Sequence, residues 1–314
     1  MSTVKDMKVV FMGTPEFSVP ILESLIEATD VVLVVSQPDK EVGRKKVLTP
    51  SPVKMCAESH GIKVLTPSRI KNEYEEVLNA HPDIIITCAY GQIIPKVMLD
   101  YPEYGCINVH ASILPKYRGA SPIQSALLNG DKTTGVTIMY MDEEMDTGNI
   151  IHSKEIDIDD KDNYKTLSDK LSILGRDLLM SVLPKIQEDE NFNISQDNEL
   201  ATYTKKIKRE DERIDFNLSA KDVYNKIRAF NPTPLANTII LGEEWKIIEA
   251  EVGNDTKEVP GTITNIAKDS FSIACNDKEI VIKKVKPFGK KEMLVKDLFN
   301  GFDKTKLTNL KVGE

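Results

Sequence analysis

Three observations predict an α/β protein with a mostly parallel sheet, followed by a smaller β-barrel. Through residue 187, short apolar runs alternate with amphipathic segments, the pattern of successive strand–helix–strand units. A polar, acidic stretch from Gln187 to Ala201, QEDENFNISQDNELA, then breaks the alternation and reads as a linker. Beyond it come five β-rich runs separated by turn residues, a spacing that suits a small barrel. At 314 residues the chain exceeds the usual single-domain size, so two domains are expected, each with its own core. The expected division is 1–187, a linker over 188–204, and 205–314.

The elements follow in order. Met7 to Met12, MKVVFM, is a strand closed by Gly13-Thr14-Pro15, and Phe17, Ile21, Leu22 and Leu25 then fall at helical spacing. The Gly-Thr-Pro stretch lacks the glycines of G-x-G-x-x-G and the lysine of a P-loop, so a tight turn is expected there rather than a phosphate cradle. Asp30 to Val35 is the second strand. Gln37-Pro38-Asp39 opens a segment running to Val53 that holds three prolines, one glycine and the cluster Arg44-Lys45-Lys46. No regular structure is expected in it, and its length marks it as functional.

VKMCAESHG and IKNEYEEVLNA read as helices, and KVLTP between them as a strand. DIIITCAYG, with three isoleucines in a row, reads as a fully buried central strand that ends at Tyr90-Gly91, a pair placed to border a pocket. CINVH is the next strand, Gly119 to Gly130 a helix, and GVTIMYM a strand leading into Asp142-Glu143-Glu144-Met145-Asp146-Thr147-Gly148. Asn149 to Asp157 is a strand, and Asn163 to Ile186 a long helix with Leu167, Leu171, Leu174 and Leu178 on one face. In the second domain Ser219 caps a helix that stops at Asn231-Pro232, and TIIL, WKIIEAEV, GTITNIA, SFSIAC and EIVIKKVK supply the barrel strands.

With 40% hydrophobic and 29% charged residues, the composition excludes a fibre and wholesale disorder. The net charge of −8 is uneven: residues 1–200 hold 20 basic and 31 acidic side chains, residues 201–314 hold 21 and 18. A mildly basic end on an acidic protein is either a solvated surface or a face for a polyanion. MSTVKDMKVV shows neither a long apolar region nor a small-residue cleavage site, which argues against a signal peptide. No apolar stretch approaches the roughly 20 residues that span a bilayer. Cys56, Cys88, Cys106 and Cys275 are scattered without a C-x-x-C pair, and no H-E-x-x-H occurs. Reduced thiols, a cytoplasmic location and no dedicated metal site are expected.

The candidate chemistry lies in INVHASILPKYRGASP, Ile107 to Pro122. Asn108 and His110 are two apart at a strand end, so both side chains leave one face. An amide donor and an imidazole aimed at one point suit stabilisation of an oxyanion in acyl transfer. Ser112-Ile113-Leu114-Pro115 follows directly, with two aliphatic residues expected to be exposed as an apolar wall. Asp146 is the natural third member, since a carboxylate favours the charged imidazole and can help take the proton of an attacking amine. Asp146-Thr147-Gly148 is not an aspartic-protease site, because that chemistry needs two such carboxylates and the chain has one copy. His60, His81 and His152 have no comparable neighbours.

Taken together, MKVVFMGTPEFSVP, QPDKEVGRKKVLTPSPVK, AYGQIIP, GCINVHASILPKYRGASPIQ, GVTIMYMDEEMDTGNI, ERIDFNLSA and IRAFNPTP, in that order, resemble the methionyl-tRNA formyltransferase family. The resemblance implies a Rossmann-like formyltransferase domain, a linker and an OB-like barrel that binds tRNA. It implies transfer of the formyl group of 10-formyltetrahydrofolate, a co-substrate, to the amino group of methionyl initiator tRNA; no metal is needed for such a transfer, and a monomer is the default expectation. Carried over by position, Asn108, His110 and Asp146 would be catalytic. Ser112, Ile113, Leu114 and Pro115 would match the Ser-Leu-Leu-Pro folate-binding segment, with Ile113 in place of a leucine. Arg44, Lys45 and Lys46 would reach the tRNA acceptor end, Lys45 standing where glycine is common, and Thr233 replaces a common tryptophan. The same polar triad would serve a formyltransferase acting on a sugar nucleotide or purine precursor, or a hydrolase releasing formate. A barrel alone would serve a non-catalytic nucleic-acid module.

Overall fold

The computed structural model describes residues 4–43, 45–188 and 193–313. Two compact units emerge: Met1–Pro122, Thr133–Asp157 and Ser168–Lys205 form one, and Ile123–Lys132, Ile158–Leu167 and Lys206–Glu314 the other.

The first unit begins with β1 (Lys8–Gly13), α1 (Val19–Ala28) and β2 (Asp30–Val35). Val9, Val10, Phe11 and Met12 are all fully buried, as expected of a strand covered on both faces. There follow β3 (Lys40–Val42), β4 (Val47–Thr49), α2 (Pro52–Ser59), β5 (Val64–Leu65), α3 (Glu75–Asn79), β6 (Ile84–Cys88), α4 (Lys96–Leu99) and β7 (Cys106–His110). After β8 (Arg118–Gly119) the chain forms α5 (Pro122–Leu128), which lies almost wholly in the second unit, then β9 (Thr133–Tyr140), β10 (Ile150–Asp157), α6 (Tyr164–Gln187), whose first turn also falls in the second unit, and β11 (Tyr203–Thr204).

Seven strands form one sheet in the order β10-β9-β7-β6-β1-β2-β5. The five from β7 to β5 run parallel, while β9 alone runs opposite, pairing antiparallel with both β7 and β10. The fold is thus the mostly parallel, Rossmann-like one. The strand order reverses between β1 and β6, and ligand crevices open beyond the carboxyl ends of strands near such a reversal. At that point Thr14 Oγ1 and Gln37 Nε2 both donate to the Tyr90 carbonyl, at 3.1 and 3.0 Å. The Tyr90 ring turns into the core beside Val10, Met12 and Ile85, so this residue meets the crevice through its backbone.

The segment from Gln37 to Val53 departs from the expectation of irregular structure. β3 and β4 pair as a hairpin, Lys40 opposite Thr49 and Val42 opposite Val47. Pro38 and Pro50 flank the pairing instead of interrupting it, and β-branched Val42, Val47 and Thr49 suit the extended backbone. Lys46 closes the turn by donating its N–H to the Gly43 carbonyl at 3.1 Å. Residues 193–204 belong to the first unit as well: Ile194 bridges Ile150, and β11 runs parallel to β8.

The second unit carries α7 (Ala220–Ala229), then β12 (Ala236–Ile240), β13 (Glu243–Asp255), β14 (Ile263–Ile266), β15 (Phe271–Ala274), β16 (Lys278–Lys286), β17 (Met293–Leu294) and α8 (Val295–Leu298). The strands pair antiparallel in the order β12-β13-β16-β15-β14, with β17 on β16. Trp245, Ile247, Phe271, Ile273, Ile280 and Ile282 are buried in its core. Ser219 caps α7 by accepting from the Asp222 N–H at 3.1 Å, and Asp277 accepts from the Ala220 N–H at 2.8 Å. Buried Arg228 donates to Asn225 Oδ1 and to the carbonyls of Asp159 and Asp162, binding α7 to Ile158–Leu167 within this unit.

Candidate active site

β7 has partners on both sides, with Asn108 opposite Thr87 of β6 and Met139 of β9. Its backbone is therefore fixed by ladder hydrogen bonds, and the two-residue period sends Asn108 and His110 out on one face. Thr87 Oγ1 donates to Asn108 Oδ1 at 2.8 Å. A hydroxyl donor on the oxygen leaves the amide nitrogen as the end that faces a ligand, and among the described residues Asn108 Nδ2 donates to no protein group. Thr87, a buried residue on another strand, orients the Asn108 amide through this bond, a contact the sequence did not reveal.

His110 is buried, with 6% of its side chain exposed. Its Nε2 lies 3.0 Å from the Tyr117 carbonyl. A carbonyl only accepts, so Nε2 carries a proton and the tautomer is set. The other nitrogen, Nδ1, lies 3.7 Å from Asp146 Oδ2, within ion-pair range and beyond a hydrogen bond. With protons on both nitrogens the ring bears one positive charge, which the nearby carboxylate offsets.

Asp146 arrives on the loop joining β9 to β10. Its Oδ2 accepts from the Gly119 N–H at 2.7 Å, while Oδ1 has no hydrogen-bond partner among the described residues. Gly119 has φ +110, and a Cβ there would sit 2.6 Å from the Thr204 carbonyl oxygen. Glycine alone fits this approach. Gly148 closes the same loop so tightly that a Cβ would lie 1.9 Å from the Tyr140 carbonyl oxygen. The Asp-Thr-Gly sequence therefore combines a carboxylate with the small residue that lets its loop close.

The structure brings Asn108, His110 and Asp146 to one end of the sheet. It alters the picture of Ser112-Ile113-Leu114-Pro115. Ser112 is fully buried, with its hydroxyl donating to the Lys116 carbonyl at 2.6 Å, and Leu114 is 4% exposed rather than open. Thr137 Oγ1 donates to the Ser112 carbonyl and accepts from the Leu114 N–H, at 2.7 and 3.1 Å. Half-buried Ile113 and Pro115 retain accessible surface, and Ile113 packs over Gly135. Lys45 and Lys46 are exposed at the hairpin tip, Lys46 lying 3.6 Å from Glu41. Arg44 lies outside the described residues. His60, His81 and His152 are exposed. Among the described residues no group of three His, Cys, Asp or Glu side chains could hold a metal ion, and no helix is long and apolar enough to cross a membrane.

With that geometry in place, comparison with known proteins gives a consistent result. The family described as formyl transferase matches residues 7–183, and the formyl transferase C-terminal domain matches 206–303. The chain is 48% identical over 313 residues to methionyl-tRNA formyltransferase of Geobacillus sp. (strain WCH70), covering 98% of each. It is 46% identical over 299 residues to that of Bacillus subtilis (strain 168), covering 94% of each. Among solved structures, HypX from Aquifex aeolicus in complex with tetrahydrofolic acid superimposes with a TM-score of 0.65 at 16% identity. That match covers 94% of this chain, which spans about half of HypX (47%); at that identity the likeness is one of fold.

Proposed function

The chain belongs to the formyl transferase family, and from that premise we infer that it transfers the formyl group of 10-formyltetrahydrofolate to the amino group of methionyl initiator tRNA, giving formylmethionyl-tRNA for translation initiation. Full-length relatives with that activity in their names support the reading. The observation that carries the site assignment is the Asn108 carboxamide, its oxygen held by Thr87 and its nitrogen left open on the face it shares with His110.

The co-substrate supplies the formyl carbonyl, and the residues supply the rest. Asn108 Nδ2 donates to the formyl oxygen as charge grows on it while the methionyl amine bonds to carbon. His110, anchored through Nε2, turns Nδ1–H to the same oxygen or to Asp146. Asp146 Oδ1 takes the amine proton, directly or through water, and that proton balances the nitrogen of the folate when its bond to the formyl carbon breaks. Ile113 and Pro115 provide the apolar surface for the folate, over a backbone fixed by Ser112 and Leu114. Lys45 and Lys46, with Arg44 between them and Gly43, meet the phosphates of the acceptor end. Residues 1–187 carry the chemistry together with 193–204, which pack into the same unit, and 205–314 bind the rest of the tRNA. A monomer suffices, since one chain holds all three polar groups, and four free cysteines suit the reducing cytoplasm.

The test is transfer of labelled formyl from 10-formyltetrahydrofolate to charged initiator tRNA, beside uncharged tRNA, free methionine and an amino-sugar nucleotide. Label is expected on charged tRNA alone. Equal or faster labelling of a small amine would overturn the substrate assignment.

A further inference from the structure

Two non-glycine residues beside the reacting groups, Tyr117 at φ +60 and Asp146 at φ +56, have left-handed backbone. L side chains keep that conformation only where their surroundings hold it. Tyr117 supplies the carbonyl that fixes His110 Nε2, and Asp146 supplies the carboxylate. Both are held from the same place, a segment between the two family matches, which end at 183 and resume at 206.

Gln196 Nε2 donates to the Asp146 carbonyl at 2.8 Å and to the Gly148 carbonyl at 2.7 Å. Its Oε1 accepts from Arg118 Nε and Nη2, at 3.1 and 2.7 Å. Arg118 is 1% exposed and reaches back to Asn198 Oδ1 and the Tyr203 hydroxyl, at 2.8 and 3.1 Å. On the other side, Thr202 Oγ1 accepts from the Tyr117 N–H at 2.8 Å. The Thr202 carbonyl accepts from the Arg118 N–H, and its N–H donates to the Pro115 carbonyl, at 2.8 and 3.2 Å. A mere spacer between domains would need none of these bonds, whereas a side-chain amide spent on two loop carbonyls is bound to that loop's conformation.

We propose that Gln196 to Thr204 is a positioning strap of the active site, in which Gln196 sets Asp146 and Thr202 sets His110 through Tyr117. This rests on the assignment of His110 and Asp146 as catalytic. The strap acts through backbone placement and touches no substrate, so its loss lowers turnover and leaves both Michaelis constants near their original values. A misplacement of about 1 Å can cost about 100-fold in rate.

The experiment uses the full chain in the formyl-transfer assay, with thermal melting as the check on folding. Gln196→Ala and Thr202→Val are expected to lower kcat about 10- to 100-fold, with KM for folate and tRNA within about threefold, and Thr202→Ser to restore it. Gln196→Ala combined with Asp146→Ala is expected to be no slower than Asp146→Ala alone, because groups acting as a unit are non-additive. Wild-type kcat in folded Gln196→Ala and Thr202→Val overturns the strap, as does a full further loss in the double variant. Should Gln196→Ala not fold, the Thr202→Val and Thr202→Ser pair decides, equal loss in both counting against it. If Asp146→Ala and His110→Ala keep turnover, the catalytic assignment itself has failed; if they lose it while the strap variants do not, only the strap has.

Discussion

Asn108 and His110 reach the site from a strand paired on both sides, whereas Asp146 reaches it from a loop whose carboxylate and carbonyl are bonded to residues 27 and 50 positions away. The first half is set by sheet geometry and needs only a correct register. The second depends on several separate bonds, among them one to a glycine that tolerates no Cβ. A strand resists local change because its ladder is cooperative, while a loop moves when one of its few anchors is lost.

The largest expected effect is on the strand half. His110→Ala should lower turnover about 100- to 1000-fold with little change in melting temperature, because the ladder holds without the imidazole. Retention of near-normal turnover by the folded variant would break the comparison at its root. Next is the loop half, where Gly119→Ala places a methyl group against the Thr204 carbonyl. It should destabilise the protein by about 1–3 kcal/mol and lower kcat about 10- to 100-fold, so that activity and melting temperature fall together, unlike in His110→Ala.

A smaller effect is expected from Thr87→Val, which keeps shape and removes the donor to Asn108 Oδ1. A loss of one such bond should lower kcat by about tenfold at most. No change in kcat would mean that the amide needs no external orientation. The smallest effect concerns thiol chemistry. Burial pushes the Cys88 and Cys106 thiols up to about 12. The Cys56 thiol is raised by its partial burial and then by Glu23. A raised thiol stays neutral and unreactive as pH climbs through 8. Alkylation at pH 8, followed by mass spectrometry, should label half-buried Cys56 first and Cys106, on β7, only after unfolding. Equal rates would show that β7 of the strand half opens as readily as the partly exposed helix α2.

Much of the strand half was legible in the chain. Three isoleucines before Thr87 marked β6 as central, and Asn-x-His after an apolar run placed two polar side chains on one face. The hairpin of β3 and β4 is not legible in proline content, because what matters is that Pro38 and Pro50 fall outside the paired residues. Leu114, expected to be exposed beside a proline that ends a strand, is instead drawn inward by Thr137, a residue of β9 that bonds the Leu114 N–H and the Ser112 carbonyl. The polar, acidic composition of Gln187 to Ala201 suggested only a linker. Nothing in that composition shows that Gln196 reaches two carbonyls of the Asp146 loop.

The sequence alone determined the strand–helix alternation, the β-rich second unit and the three polar side chains proposed to react. Those properties depend on side-chain periodicity and residue chemistry, which are local. The tertiary structure decided which end of Asn108 is free, which imidazole nitrogen holds its proton, and what keeps Asp146 in left-handed backbone. Each of these follows from a hydrogen bond between groups distant in the chain, and a sequence carries no record of distance in space.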